Sequence, residues 1–263
     1  MSRSLLTYHA IPLRQRRLRA LYASFVRPGD LVFDVGGHVG NHTRTFVALG
    51  CRVVTIEPQP DFARLLRRMF RKAPSVCVLE VAASDTVGRT QLAISERTPA
   101  VSTIATDWRA ARSTEEGFAH VRWDHIREVR TTTLDDLISR YGVPTFVKID
   151  VEGAEPRVLA GLTHCVAALS FEYLLDDLVL AERCVQRLEE NGPYRFNWTL
   201  GESRRLLSQR WLTGEQLISI LMTSSSRQRF GDVYAVVSAE DEASNDASKG
   251  IVALSGSAHR SGC

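Results

Sequence analysis

The stretch Phe146-Val147-Lys148-Ile149-Asp150-Val151-Glu152-Gly153-Ala154-Glu155 decides the reading of the fold, because an apolar run gives way to three carboxylates and a glycine within six residues. Phe146 to Ile149 has the length and composition of a buried strand. Gly153 can enter a turn conformation that other residues resist, and Pro156 suits the first turn of a helix, where its missing N–H costs nothing. The segment reads strand, turn, helix. In open α/β sheets ligands bind beyond the carboxyl ends of the strands, so Asp150 and Glu152 fall where a ligand is expected. Glu155 is equally well explained by the dipole of the helix it opens. Asp150 is different: a carboxylate ending a buried strand carries a desolvation cost unless a partner offsets it.

The same alternation extends outward. Leu13 to Phe25 reads as a basic amphipathic helix, Leu31 to Val35 as a buried strand, Gly36 to Gly40 as a glycine loop and Asn41 to Leu49 as a helix closed by Gly50. Arg52 to Ile56 and Val76 to Ala82 are strands around a helix from Asp61 to Lys72, and Gly88 to Ile94 is a short extension or hairpin. Residues 95–130 lack clear periodicity and read as an insertion or lid. Thr133-Leu134-Asp135-Asp136-Leu137 opens a helix with a capping side chain. Strands at Ala168–Tyr173, Tyr194–Trp198 and Asp232–Val237 then alternate with helices at Leu178–Asn191 and Leu212–Met222. Such alternation implies an α/β fold, a mainly parallel sheet with helices on both faces. The expected organisation is a leader over residues 1–28, one domain over 29–238 and a disordered tail over 239–263, rich in Ser, Ala, Gly and Asp.

Composition excludes several classes. With 44% hydrophobic residues in 263 the chain can build a real core, and a formal charge of +3 falls far short of the Lys/Arg density of a nucleic-acid binder, so no nucleic-acid partner is expected. Arg64, Arg67, Arg68, Arg71 and Lys72 on one helix read as a solvated face. The five cysteines are scattered, which fits a reducing compartment and argues against a disulfide framework or zinc site. The start, Met1-Ser2-Arg3-Ser4-Leu5-Leu6, lacks a secretory apolar region, and no apolar run is long enough to span a bilayer. A cytoplasmic protein without a membrane span is expected.

The glycine loop narrows the ligand. A nicotinamide dinucleotide loop needs glycines in G-x-G-x-x-G spacing, but from Gly36 the third and sixth positions are His38 and Asn41, and the Lys-Ser/Thr ending of a triphosphate loop is missing. Asp34-x-Gly36-x-x-x-Gly40 instead suits a ligand without phosphate. Glu57, at the end of the second strand, is placed to accept hydrogen bonds from two ribose hydroxyls. Asp34 suits an ammonium, and the amides opening the Asn41 helix suit a carboxylate. A ribose, an ammonium and a carboxylate without phosphate describe S-adenosylmethionine.

The chain resembles the FkbM-type family of class I S-adenosylmethionine-dependent methyltransferases. The match is carried by Phe33-Asp34-Val35-Gly36-Gly37-His38-Val39-Gly40-Asn41-His42-Thr43, by Ile56-Glu57-Pro58, by Val81-Ala82-Ala83-Ser84-Asp85 with Gly88, by the Thr133 to Leu137 motif and by Val147 through Glu155 with Leu159 and Gly161. The resemblance implies a Rossmann-like, seven-stranded sheet whose last strand is antiparallel, and methyl transfer to a hydroxyl of a sugar, polyketide or other small metabolite. It also implies that Asp34, Gly36, Gly40 and Asn41 line the methionine half of the cofactor, Glu57 the ribose, and Ala83, Ser84 and Asp85 the adenine side. Asp150 and Glu152 would face the acceptor.

With the sulfonium as leaving group, the protein's main task is alignment, and an alcohol acceptor must also lose a proton. Asp150 is the expected general base and Glu152 orients the acceptor, the two pointing to one side of an extended segment. His38 and His42 read as structural residues at a helix start. His120 and His125 do not share a helical face, so no metal is expected from them, an oxygen-ligated ion at Asp150 and Glu152 being the alternative. Trp108 and Trp123 suit either an aromatic wall for the acceptor or ordinary packing. Two other readings share these residues: N- or C-methylation of a small molecule or protein, and a non-catalytic nucleoside-binding scaffold. A NAD-dependent dehydrogenase would require a different loop.

Overall fold

Leu31–Val35 is buried along its whole length and forms β1, the strand around which the sheet is built. The computed structural model describes residues 12–115, 118–201, 203–226 and 228–238, so the expected tail and residues 1–11 of the leader lie outside it. In chain order the helices are α1 (Pro12–Tyr22), α2 (Asn41–Ala48), α3 (Pro60–Met69), α4 (Thr106–Arg112), α5 (Leu134–Tyr141), α6 (Glu155–Ala160), α7 (Leu178–Asn191) and α8 (Gly214–Met222). The strands after β1 are β2 (Arg52–Ile56), β3 (Val76–Leu79), β4 (Ala82–Ala83), β5 (Gly88–Ile94), β6 (His125–Thr132), β7 (Phe146–Ile149), β8 (Ala168–Leu174), β9 (Tyr194–Trp198) and β10 (Phe230–Val237).

Seven strands form the main sheet in the order β3-β2-β1-β7-β8-β10-β9. The pairs from β3 to β8 are parallel, and β10 runs antiparallel to both β8 and β9. This is the expected Rossmann-like sheet with a reversed last strand. The period of two along each strand divides the core between its faces. Val32, Val53 and Phe146 join Leu18, Leu21 and Tyr22 of α1 and Phe46 of α2 on one face. Phe33, Val54 and Val147 meet Leu134, Leu137, Leu159, Val185 and Leu188 of α5, α6 and α7 on the other.

The chain leaves β1 toward β2 and β3, then returns to lay β7 on the other side of β1. Strand order therefore reverses between β1 and β7, and a crevice opens beyond their carboxyl ends, where Gly36 and Asp150 begin their loops. Local sequence closes the helices around it. Thr133 caps α5 by accepting from the Asp136 amide, and Thr213 and Gln216 form a reciprocal capping box on α8.

One expectation is corrected. The third strand does not run from Val76 to Ala82: its last bond to the neighbouring chain is Glu57 N–H to Leu79 C=O, after which Pro58 has no N–H to offer. The chain instead pairs Ala82 and Ala83 with Thr131 and Thr132. The 95–130 segment, read as an insertion or lid, includes regular strand. Its end belongs to β6, the centre of a second, three-stranded sheet of order β4-β6-β5. Five of the eight residues of β6, His125, Ile126, Arg127, Glu128 and Arg130, are exposed, which erases the two-residue periodicity that would have announced it.

Candidate active site

The loop after β1 is held by its backbone. Gly36 and Gly37 both donate to the carbonyl of Ile56, fastening the loop over the end of β2. Gly36 has φ +89, and a Cβ there would stand 1.8 Å from the carbonyl oxygen of Asp150, so backbone meets backbone at the switch point. Gly40 has φ +78 just before α2, and a Cβ on it would meet Leu66 at 2.8 Å. Gly40 thus shapes the turn and packs against α3, and it is not among the residues lining the cleft.

Two clefts meet above this junction, sharing Gly36, His38, Ala100, Asp150 and Glu152. One is mostly apolar, walled by Val35, Ile56, Pro58, Ala83, Leu92 and Ile104, with Glu57 as its buried carboxylate. Glu57 accepts from the His38 amide at 2.8 Å and the Gln59 amide at 2.7 Å, one on each oxygen, and burial pushes its pKa up to about 7. Each oxygen keeps a lone pair for a further donor. An apolar slot with one two-oxygen acceptor fits a nucleoside, with the ring in the slot and the ribose on Glu57.

The second cleft is more polar and is lined by Asn41, His42, Asp150, Glu152, Glu172, Arg204, Phe230 and Asp232. Asp150, Glu152 and Glu172 each bring a carboxylate oxygen within 4.8 Å of the other two, a spacing a divalent cation could also use. Burial, then the charge of Asp150, holds Glu152 and Glu172 well above the ordinary carboxylate range. Asp150 is the member that faces a cation, with its oxygen 3.5 Å from Nζ of Lys148. Lys148 is buried and is held from the other side by Asp232 at 2.9 Å, which in turn takes Arg204 at 3.4 Å. Glu155 is buried and accepts from the Val151 amide, a turn-closing role.

Asp150 and Glu152 do face one cleft, but not through the pleat of a strand. β7 ends at Ile149, and Glu152 sits in the turn with φ +55, a left-handed conformation that costs free energy for a side-chain-bearing residue. Its carbonyl is fixed by the Thr103 hydroxyl at 2.7 Å, so the turn is clamped by the segment before α4. Gly153 follows at φ +87 with its α-carbon face against Trp108: a Cβ would stand 2.2 Å from the indole. Trp108 is buried, with Arg112 stacked 5.6 Å from its ring, and packs beneath the turn, where it also lines a small cavity with Glu152 and Glu172. Trp123 donates to the Val101 carbonyl at 3.0 Å.

Three further expectations are redrawn. Asp34 lies below the loop instead of in either cleft. One oxygen accepts from Thr43, the other is buried without a hydrogen-bond partner among the described residues, and burial raises its pKa to about 6. Ser84 and Asp85 turn away from the nucleoside slot: Ser84 donates to Asp85, and Asp85 pairs with Arg157 at the surface. Ala83 does line the slot, as do Gly36 and Glu57, while Asn41 lines the polar cleft. Ala100, Thr103, Ile104, Arg204 and Asp232 went unread because small residues and loop residues far along the chain carry no periodic signal; the glycine turn before Arg204 is their one trace.

The methyltransferase FkbM domain matches residues 34–200, well over half of the chain. The chain belongs to the FkbM methyltransferase family. The cofactor of this family is S-adenosylmethionine, and the nucleoside slot beside an acid-lined cleft has the chemistry to hold it. The FkbM chain is similar to the hexuronic acid methyltransferase AglP of Haloferax volcanii, with 30% identity over 145 residues, and spans about half the length of that curated relative. Among solved structures it is similar to a precorrin-6y C5,15-methyltransferase from Geobacter metallireducens (12% identity, 86% of this chain and 85% of that one, TM-score 0.43). It is also similar to a dimethyladenosine transferase from Plasmodium falciparum (10% identity, 90% and 66%, TM-score 0.46). Among the described residues no helix is long and apolar enough to cross a membrane.

Proposed function

We propose that this FkbM protein is an S-adenosylmethionine-dependent O-methyltransferase acting on a hydroxyl of a small metabolite, with a sugar as the favoured acceptor. The observation that carries the reading is the junction at Gly36 and Asp150, where a nucleoside slot opens directly into a carboxylate-lined cleft. The sugar assignment draws on the similarity to a hexuronic acid methyltransferase. When bound, the cofactor supplies an electrophilic methyl group on a sulfonium, and the rest of the work falls to this chain. Glu57 and the apolar slot hold the adenosine, so that the reactive end lies at the junction. Asp150 would take the proton of the acceptor hydroxyl, leaving that oxygen free to act as the nucleophile. Glu152, kept toward its neutral form by burial, offers a proton to hydrogen-bond and orient the acceptor. The clamped turn supplies the in-line placement that dominates such a reaction.

The reading is tested by incubating the protein with methyl-labelled S-adenosylmethionine and separate panels of neutral sugars, uronic acids, phenols and amines. Label in a sugar ether supports it, and label only in a uronic acid ester points to carboxylate methylation instead. Label only in the amines points to N-methylation, and cofactor binding without transfer to any panel points to a scaffold.

A further inference from the structure

Tyr22 is fully buried at the end of α1, with its ring 4.4 Å from Phe46 and 5.5 Å from Phe146, so it has no freedom to turn. Its hydroxyl lies 2.8 Å from Nδ1 of His42, and among the described residues it has no other hydrogen-bond partner. Burial raises the phenol pKa well above its ordinary value, so the oxygen keeps its proton. A buried hydroxyl must donate that proton somewhere, and the acceptor within reach is Nδ1. If Nδ1 carried the hydrogen instead, the phenol proton would be stranded. Burial also drives the imidazolium form of His42 far down, so the ring is neutral. Its hydrogen therefore resides on Nε2, which no described residue engages and which belongs to a ring lining the polar cleft.

That cleft has two electrostatically distinct ends. The charges felt at His42 are those of Lys148, Arg204 and Asp232. Those felt at Glu152 and Glu172 are Asp150, Glu155 and Lys148. A zwitterionic amino acid fits such a gradient, with its ammonium toward the carboxylate cluster and its carboxylate toward the N–H donors of Asn41, His42 and Arg204. We propose that Tyr22 fixes His42 as its Nε2–H tautomer and that this N–H binds the carboxylate of the cofactor's methionine half, an inference that rests on reading the two clefts as the S-adenosylmethionine site. The leader helix is then a working part of cofactor recognition: Tyr22 is a positioning residue and His42 a binding residue.

The test is calorimetric titration with two probes, S-adenosylmethionine and 5′-methylthioadenosine, which keeps the adenosine and sulfur but lacks the amino-acid group. His42→Ala weakens S-adenosylmethionine roughly 10- to 100-fold, the range for a hydrogen bond to a charged group, and leaves methylthioadenosine unchanged. His42→Gln, whose amide N–H replaces Nε2–H, restores most of the affinity, and Tyr22→Phe gives an intermediate loss together with the appearance of the Nδ1–H form in nitrogen-resolved NMR. The proposal is overturned by an Nδ1–H His42 in the unmodified protein, by His42→Ala weakening both probes equally, or by its weakening neither. Unmodified protein that binds neither probe overturns the site reading, and the proposal with it. Thermal melts of each variant separate lost recognition from lost folding.

Discussion

The backbone carbonyl of Asp150 occupies the space into which a side chain on Gly36 would project, 1.8 Å from an ideal Cβ. The contact joins the ends of β1 and β7 at the point where strand order reverses, so the cofactor loop and the acceptor turn are set against each other by bare backbone. Gly36→Ala would meet both this overlap and a φ of +89. Neither is relieved by moving a flexible side chain. We expect a loss of more than about 2 kcal/mol of stability and no measurable S-adenosylmethionine binding. A denaturant midpoint and a titration equal to those of the unmodified protein would show that the contact is not rigid.

Asp150→Asn preserves shape and removes the proton acceptor. Turnover of the true acceptor falls roughly 10²- to 10⁴-fold, the contribution of a positioned base, while S-adenosylmethionine, whose ammonium faces the same carboxylate cluster, loses far less affinity. Glu152→Gln, which keeps a donor N–H, acts mainly on the KM for the acceptor. Steady-state kinetics on the labelled product decide this, and an undiminished kcat in Asp150→Asn removes Asp150 from the chemistry.

Lys148 is buried between Asp150 and Asp232, and its ammonium also donates to the Ile149 carbonyl at 3.1 Å. Lys148→Met leaves Asp232 buried beside Arg204 alone. Breaking a buried pair from one side costs about 3–5 kcal/mol, and that is the expected fall in unfolding free energy. Adding Asp232→Asn to Lys148→Met recovers part of it. Chemical denaturation of the single and double variants makes the comparison, with simple additivity as the contrary result.

Stability of the cofactor-free protein falls as pH rises through neutrality. Burial raises Glu57 and Glu155 from 4.5 to about 7 and Asp34 from 3.8 to about 6. A raised folded-state pKa gives a contribution that is complete below the unfolded value and lost as pH climbs through the folded one. For each glutamate the window runs from about pH 4.5 to about pH 7, and the shift corresponds to at most about 3 kcal/mol. Asp135 and Asp232 are lowered and act oppositely, losing their contribution below the usual carboxylate range. The melting temperature should therefore peak near about pH 5 and decline toward about pH 8, less steeply in Glu155→Gln. A flat profile over that interval contradicts the burial argument.

The glycine loop, Glu57 and the Asp150 turn were readable because each couples a backbone demand to a chemical one within a few residues. Asp34, Ser84 and Asp85 do not line the two clefts, since motif position fixes where a residue lies along the chain but not whether the neighbouring layer covers it. Thr43 closes over Asp34, and Arg157 draws Asp85 outward.

By itself the sequence determined the strand and helix alternation, the phosphate-free loop and the acidic turn, because hydrophobic period, glycine placement and turn chemistry are local properties. The tertiary structure alone decided which distant groups share the cleft: Lys148 held by Asp232 across 84 residues, Glu152 clamped by Thr103, Gly153 backed by Trp108 and His42 oriented by Tyr22. Those contacts depend on parallel crossovers and on a second sheet whose exposed central strand has no readable period. Their partners meet only when the whole core closes.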